Sequence, residues 1–360
     1  MKRIGFILAS FVLIVTFSLP VTFTTSIESS PSQSQLEKAA EYLISMYNPT
    51  IGLIANSEDE GPNPYGEGVP CSQTYWVYSD NLFAGWALQP FNKSVADNIT
   101  RTVEWYIETY GKSMLFEAAI GEPIPTTIHA HKDIKVLDVV MDGKRIQVLL
   151  DRHQHCDNPG VFNDADQYAD LCFYLTINYW MMGDINASLY WFRTGEAMWN
   201  ASTNKGFYDK AARADHRYQN YKLGLFLLAQ RVTNFLSTIS GDVEAAAWSY
   251  QKDNGGITTQ SWLDGTPYGT ANAEATAALL LAYNENLTSR LHNRKTLAEY
   301  LLQEKEFELK ETIQMIEKLN AELSNLKTGF MFLLASTTML ATATCILAIQ
   351  LRKNKCVRKH

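Results

Sequence analysis

The feature that most constrains this chain is the stretch 328–351, which runs for 24 residues without a charge. As a helix it rises about 36 Å, enough to cross a hydrocarbon core of about 30 Å with some tilt. Arg352, Lys353, Lys355, Arg358 and Lys359 follow with no acidic residue among them. A basic flank of this kind is retained on the cytoplasmic side. The expected topology is therefore a single C-terminal anchor, a short basic tail inside (352–360) and the body of the chain outside.

The other end agrees. Lys2 and Arg3 precede an uncharged apolar run and then a small, hydroxyl-rich stretch. That is the layout of a secretory signal over residues 1–26, although an uncleaved second anchor has the same pattern. On the external side, sequons fall at Asn92, Asn98, Asn186, Asn200 and Asn286, candidates for glycosylation. A net charge of −7, with no basic cluster outside the tail, argues against nucleic acid as a partner.

Between body and anchor, Leu302, Leu309, Ile316 and Leu323 recur every seven residues, joined by Leu319 and Leu326. Glu, Lys, Gln and Asn fill the intervening positions, which predicts a coiled-coil stalk over 289–327. Chains anchored side by side can align such seams in a parallel homo-oligomer. A single helix lying on its own domain is the alternative, because Lys305 and Thr312 occupy positions where the early heptads should be apolar.

The body, residues 33–288, repeats a pattern of amphipathic helix, Gly-containing turn and nearly all-apolar second helix. Four copies can be traced: 35–47 with 76–88, 96–110 with 166–182, 187–200 with 218–232, and 243–252 with 271–284. The apolar second helices must lie inside and the amphipathic ones around them. In the insertion at 113–156, two β-rich runs flank Met141-Asp142-Gly143-Lys144, the signature of a β-hairpin.

Trp248-Ser-Tyr-Gln-Lys-Asp-Asn-Gly-Gly-Ile257, followed by Thr270-Ala-Asn-Ala-Glu-Ala-Thr-Ala-Ala-Leu279, resembles a repeat of the α/α-toroid proteins. These include the six-hairpin glycosidases and the terpenoid-cyclase-like repeats. The resemblance is architectural, covers about residues 35–286, and implies a mainly α fold. Such toroids usually close with about six hairpins, so four imply an open or incomplete ring, unless the insertion fills the gap.

In that architecture the first turns of the inner helices face a common funnel. The corresponding positions here are Ser79-Asp80-Asn81, Ala165-Asp166-Gln167, Tyr218-Gln219-Asn220 and Ala271-Asn272. Helix capping explains such residues by itself. Their aromatic company, with Trp76, Tyr78, Tyr168, Tyr218 and Tyr268 among it, suits a glycan instead. Glycoside hydrolysis requires two carboxylates. Asp80 and Asp166 are the expected catalytic pair, with Asp164 and Glu274 in reserve, and Asn81, Gln167, Gln219, Asn220 and Asn272 as expected substrate contacts. Binding without cleavage would use the same residues.

The same architecture brings Cys71 and Cys156, each preceding an inner helix, to one rim, and predicts a disulfide between them in an oxidising compartment. Arg152-His153-Gln154-His155-Cys156-Asp157 has the residue types of a metal site but not the spaced ligand pairs zinc prefers, so no metal is expected. No phosphate-binding loop, dinucleotide fingerprint or G-x-S-x-G motif occurs, and no cofactor is implied. Asn163-Asp164-Ala165-Asp166 falls one acid short of the D-x-D-D expected of a terpenoid cyclase.

Overall fold

The computed structural model describes residues 30–57, 76–126, 129–130, 132–141, 144–153, 160–161 and 163–357. The N-terminal signal, Cys71, Cys156 and most of the His-rich run at 152–157 lie outside the described residues. The chain is mainly helical, with small two- and three-stranded sheets.

Eight helices carry the repeated pattern. They are α1 (Gln33–Ser45), α2 (Tyr78–Ala87), α3 (Lys93–Tyr110), α4 (Ala169–Met181), α5 (Ile185–Glu196), α7 (Tyr221–Thr233), α8 (Ser240–Ser249) and α9 (Ala273–Leu281). A short α6 (Lys210–Asp215), not anticipated from the sequence, precedes α7. Ser32 opens α1 with a capping box: its hydroxyl accepts from the Gln35 amide at 3.2 Å, while the Gln35 side chain accepts from the Ser32 amide at 2.9 Å.

Burial separates inner helices from outer ones. Nine of the ten residues of α2 and eight of the nine of α9 are buried, against four of the eighteen of α3. An outer helix needs only one apolar stripe, whereas an inner one is covered on all sides. Among the inner helices α9 packs against both α2 and α7, and α7 packs in turn on α4. A 3-10 segment, Phe116–Ile120, touches both α2 and α4. Outside them, α1 lies on α9, α3 on α2, α5 on α4 and α8 on α7.

Glycine sets the closest of these approaches. A Cβ on Gly224 of α7 would lie 2.5 Å from the Ala278 carbonyl carbon and the Leu279 nitrogen of α9. Those are backbone atoms, so relief requires the two helices to separate. Gly224→Ala is expected to destabilise the domain by about 1–3 kcal/mol, despite the better helix propensity of alanine. A thermal melt checks this; an unchanged or raised Tm would contradict the packing.

The predicted hairpin is present. β4 (Lys132–Met141) pairs antiparallel with β5 (Lys144–His153), Met141 facing Lys144. The starts of the third and fourth inner helices differ from expectation. Residues 218–219 and 271–272 are strand, belonging to β7 (Arg217–Gln219) and β9 (Pro267–Asn272), which flank β8 (Ile257–Trp262) in one antiparallel sheet. β1 (Tyr47–Asn48) pairs with β2 (Leu53–Ile54), and β3 (His129–Ala130) with β6 (Gly160–Val161).

The last helix, α10 (Glu285–Val357), continues for 73 residues without interruption. At 1.5 Å per residue it is about 110 Å long. Its root belongs to the domain: Leu287 and Leu291 are buried in the core, and Arg290 donates to the Ile120 carbonyl at 2.6 Å. Trp180 clamps the same turn, its indole donating to the His292 carbonyl at 3.1 Å. Farther on, among the described residues, α10 is long and apolar enough to cross a membrane within Thr312–Cys345. The uncharged part of the helix begins at Thr328.

Candidate functional site

The inner helices carry few charges, and three of them, Asp170, Lys222 and Glu274, stand at the leading ends of α4, α7 and α9. Lys222, 1% exposed on α7, pairs its ammonium with Asp209 and, at 3.3 Å, with Asp170 Oδ1. A buried ammonium is tolerated only with such partners. Asp209 is buried as well and accepts backbone N–H bonds from Ala212 and Ala169, fixing the first turns of α6 and α4 together. The other oxygen of Asp170 accepts from the Tyr221 hydroxyl at 2.6 Å.

One helical turn beyond Asp170, Tyr174 is 1% exposed, and its hydroxyl has no hydrogen-bond partner among the described residues. Glu274, in the first turn of α9, is half-buried. The hydroxyls of Tyr174 and Tyr221 are held well above the ordinary phenol range, by burial first and then by the Asp170 and Glu274 carboxylates. Three neighbouring inner helices thus carry two carboxylates and two tyrosines at or near their leading ends. Asp170, Tyr221 and Glu274 are partly open to solvent, whereas Tyr174 is buried.

No protein-family model, no curated protein and no solved structure matches the chain.

Of the residues singled out from the sequence, Glu274 belongs to this group and Asp80 and Asp166 differ sharply in environment. Asp80 is 1% exposed and accepts from the Asn56 amide at 2.8 Å, whereas Asp166 is exposed on a 3-10 turn, Ala165–Gln167, with Gln167 exposed beside it. Asp164 pairs with Lys210, whose hydrogen bond holds the carboxyl below the usual range, and that ammonium also lies over the Tyr168 ring.

The amides mainly hold structure. Asn81 bonds both backbone groups of Ile54, Asn220 donates to the Thr258 carbonyl, and Asn272 caps α9 through the Ala275 amide. Trp76 and Tyr218 are buried, and the Tyr218 hydroxyl accepts from Asn200 at 2.7 Å. The Tyr78 hydroxyl, raised above its ordinary value by burial and by Glu117, donates to that carboxylate at 2.6 Å. Ser113 and Leu115 supply the remaining donors to Glu117.

Gln219 and Tyr268 occupy the open face of the β7–β8–β9 sheet, which feeds directly into α7 and α9. Among the described residues no group of three or more His, Cys, Asp or Glu side chains is placed to hold a metal. Cys172 is buried in α4, where burial raises its thiol above the ordinary range.

Asp170 and Lys222 were within reach of sequence reasoning. Each sets a charge in the first turn of a mostly apolar inner helix, and a charge in that position implies a partner.

Proposed function

We propose that this chain is a membrane-tethered, cell-surface carbohydrate-active protein, a glycoside hydrolase working through paired carboxylates. Four hairpins, α1–α2, α3–α4, α5–α7 and α8–α9, would form an open α/α toroid, a reading supported by the sequential packing of the inner helices. The role first assigned to Asp80 and Asp166 passes to Asp170 and Glu274. The observation that carries this is geometric: Asp170 and Glu274 stand in the first turns of α4 and α9, the two inner helices that pack on α7, whose Tyr221 donates to Asp170 at 2.6 Å, and both carboxylates are partly open to solvent.

In this reading Glu274 is the acid that protonates the leaving oxygen, and Asp170, which receives Tyr221 and Lys222, is the base or nucleophile. The helix α10 carries the domain away from the membrane, the basic tail is cytoplasmic, and the signal is removed. Asn186 and Asn286, which are exposed, are the most accessible glycosylation sites; Asn92, Asn98 and Asn200 are half-buried. The test is the intact chain in detergent, incubated with a panel of oligosaccharides. Release of new reducing ends is expected; binding without release would select a non-catalytic glycan receptor, and neither would refute both.

The stalk completes the proposal. Leu309, Ile316, Leu319, Leu323 and Leu326 are each more than half exposed on the single chain, at heptad spacing along one helix. A second copy anchored in the same membrane can cover this seam in parallel register. Ile316→Lys combined with Leu323→Lys is expected to convert the oligomer to a monomer in sedimentation of the detergent-solubilised chain. A wild-type monomer would overturn the assignment.

A further inference from the structure

The geometry points to a saccharide-stacking subsite on the open face of the β7–β8–β9 sheet, built by Trp262, Tyr268 and Arg217, that holds a neutral pyranose chain beside the acid pair. This inference rests on the glycan reading above and names its ligand class.

The sheet is two-faced. Tyr218 and Ser261, which oppose each other, are buried, whereas the neighbouring opposed pairs Arg217 with Trp262 and Gln219 with Gln260 lie on the open side. Tyr268 opposes Gln260 from the third strand. Trp262 and Tyr268 remain 43% and 40% exposed, large apolar surfaces that the fold itself does not use. Their rings meet edge to face at 4.9 Å, and the Arg217 guanidinium sits 4.4 Å from the Tyr268 ring centre. Stacking on arginine fixes the tyrosine ring and leaves guanidinium N–H groups at its margin.

Such a platform suits a pyranose. A ring whose hydroxyls are equatorial presents flat C–H faces to an aromatic plane, and its edge meets the amides of Gln219 and Gln260 and the Arg217 donors. The platform is also continuous with the acid pair, since the Tyr221 hydroxyl that donates to Asp170 lies 3.4 Å from the Gln219 side-chain oxygen. Charge decides between neutral and acidic sugars. With Glu274 protonated as the acid, Asp170 and Asp209 still outnumber the single ammonium of Lys222, so a uronate or sulfated chain would meet like charge at the reacting end.

The experiment titrates the intact chain in detergent with cellohexaose, xylohexaose and chitohexaose, and with a hexagalacturonate as the acidic comparison. Calorimetry and tryptophan fluorescence report binding. At least one neutral hexaose is expected to bind. Trp262→Ala and Tyr268→Ala should each raise its Kd about tenfold, equivalent to about 1.4 kcal/mol, with Tm unchanged. A neutral hexaose bound equally by wild type and both variants overturns the subsite and leaves the glycan reading intact. Binding of the hexagalacturonate alone overturns the ligand class. No binding of any sugar overturns the glycan reading and the subsite with it.

Discussion

Lys222→Met is expected to destabilise the domain by about 3–5 kcal/mol, the typical result of removing one partner from a buried ion pair. Methionine fills a similar volume, so the loss comes from charge. Asp209 is fully buried and Asp170 half-buried, and both would be left without the ammonium between them. Asp209 also holds the first turns of α4 and α6, so its disturbance spreads to both. Denaturant unfolding of the intact chain in detergent checks the figure. A loss below about 1 kcal/mol, the range of surface pairs, would show that the cluster is hydrated.

The same cluster fixes a pH dependence. Burial opposes the Lys222 charge, but Asp170 and Asp209 outweigh it and hold the ammonium above its ordinary value. A folded pKa above the unfolded one gives stability that is complete below the unfolded value, about 10.4 for lysine, and lost as pH rises through the folded value. Tyr174 and Tyr221 are raised in the same direction, and neutral buried phenols add a loss with the same sign from about pH 10. Tm should therefore fall steeply on the alkaline side, and less steeply in Lys222→Met.

Glu274→Gln is expected to lower kcat/KM by about 10²–10⁴, the usual contribution of a general acid. Glutamine keeps the shape of the side chain at the start of α9, where Asn272 supplies the cap, so folding and saccharide affinity should be retained. This separation makes Glu274 a cleaner probe than Asp170, whose replacement also disturbs Lys222. Turnover kinetics beside a binding titration decide it. Equal loss of binding and turnover would assign Glu274 to ligand contact alone.

The helices were legible in the sequence because apolar periodicity is local. The all-apolar runs that became α4 and α9 could have been nothing but inner helices, and Asp142-Gly143 marked the turn between β4 and β5. The site was less legible, for a local reason and a distant one. The sequence pattern points to a helix opening at Asp166, but the chain makes a 3-10 turn at Ala165–Gln167 and α4 begins at Ala169, so the carboxylate in its first turn is Asp170. The apolar pattern likewise predicts helix at 218–219 and 271–272, where strands β7 and β9 lead into α7 and α9. Their β conformation depends on pairing with β8, a tertiary fact.

Lys222 illustrates the distant reason. Its meaning depends on Asp209 and Asp170, and only the folded chain brings these carboxylates to it. The root of α10 shows the same limit: heptad spacing announced a stalk, but not that Leu287 and Leu291 would be core residues of the domain beneath it.

If the chain cleaves glycosides as proposed, Asp170 and Glu274 flank one saccharide-binding site. The most direct test is a structure of the intact chain with a non-hydrolysable thio-linked oligosaccharide. The bridging sulfur is expected between the two carboxyl groups, themselves about 5 to 9.5 Å apart, with the saccharide continuing over Trp262 and Tyr268. A ligand seated elsewhere, or carboxyl groups too far apart to reach one glycosidic bond, would contradict it.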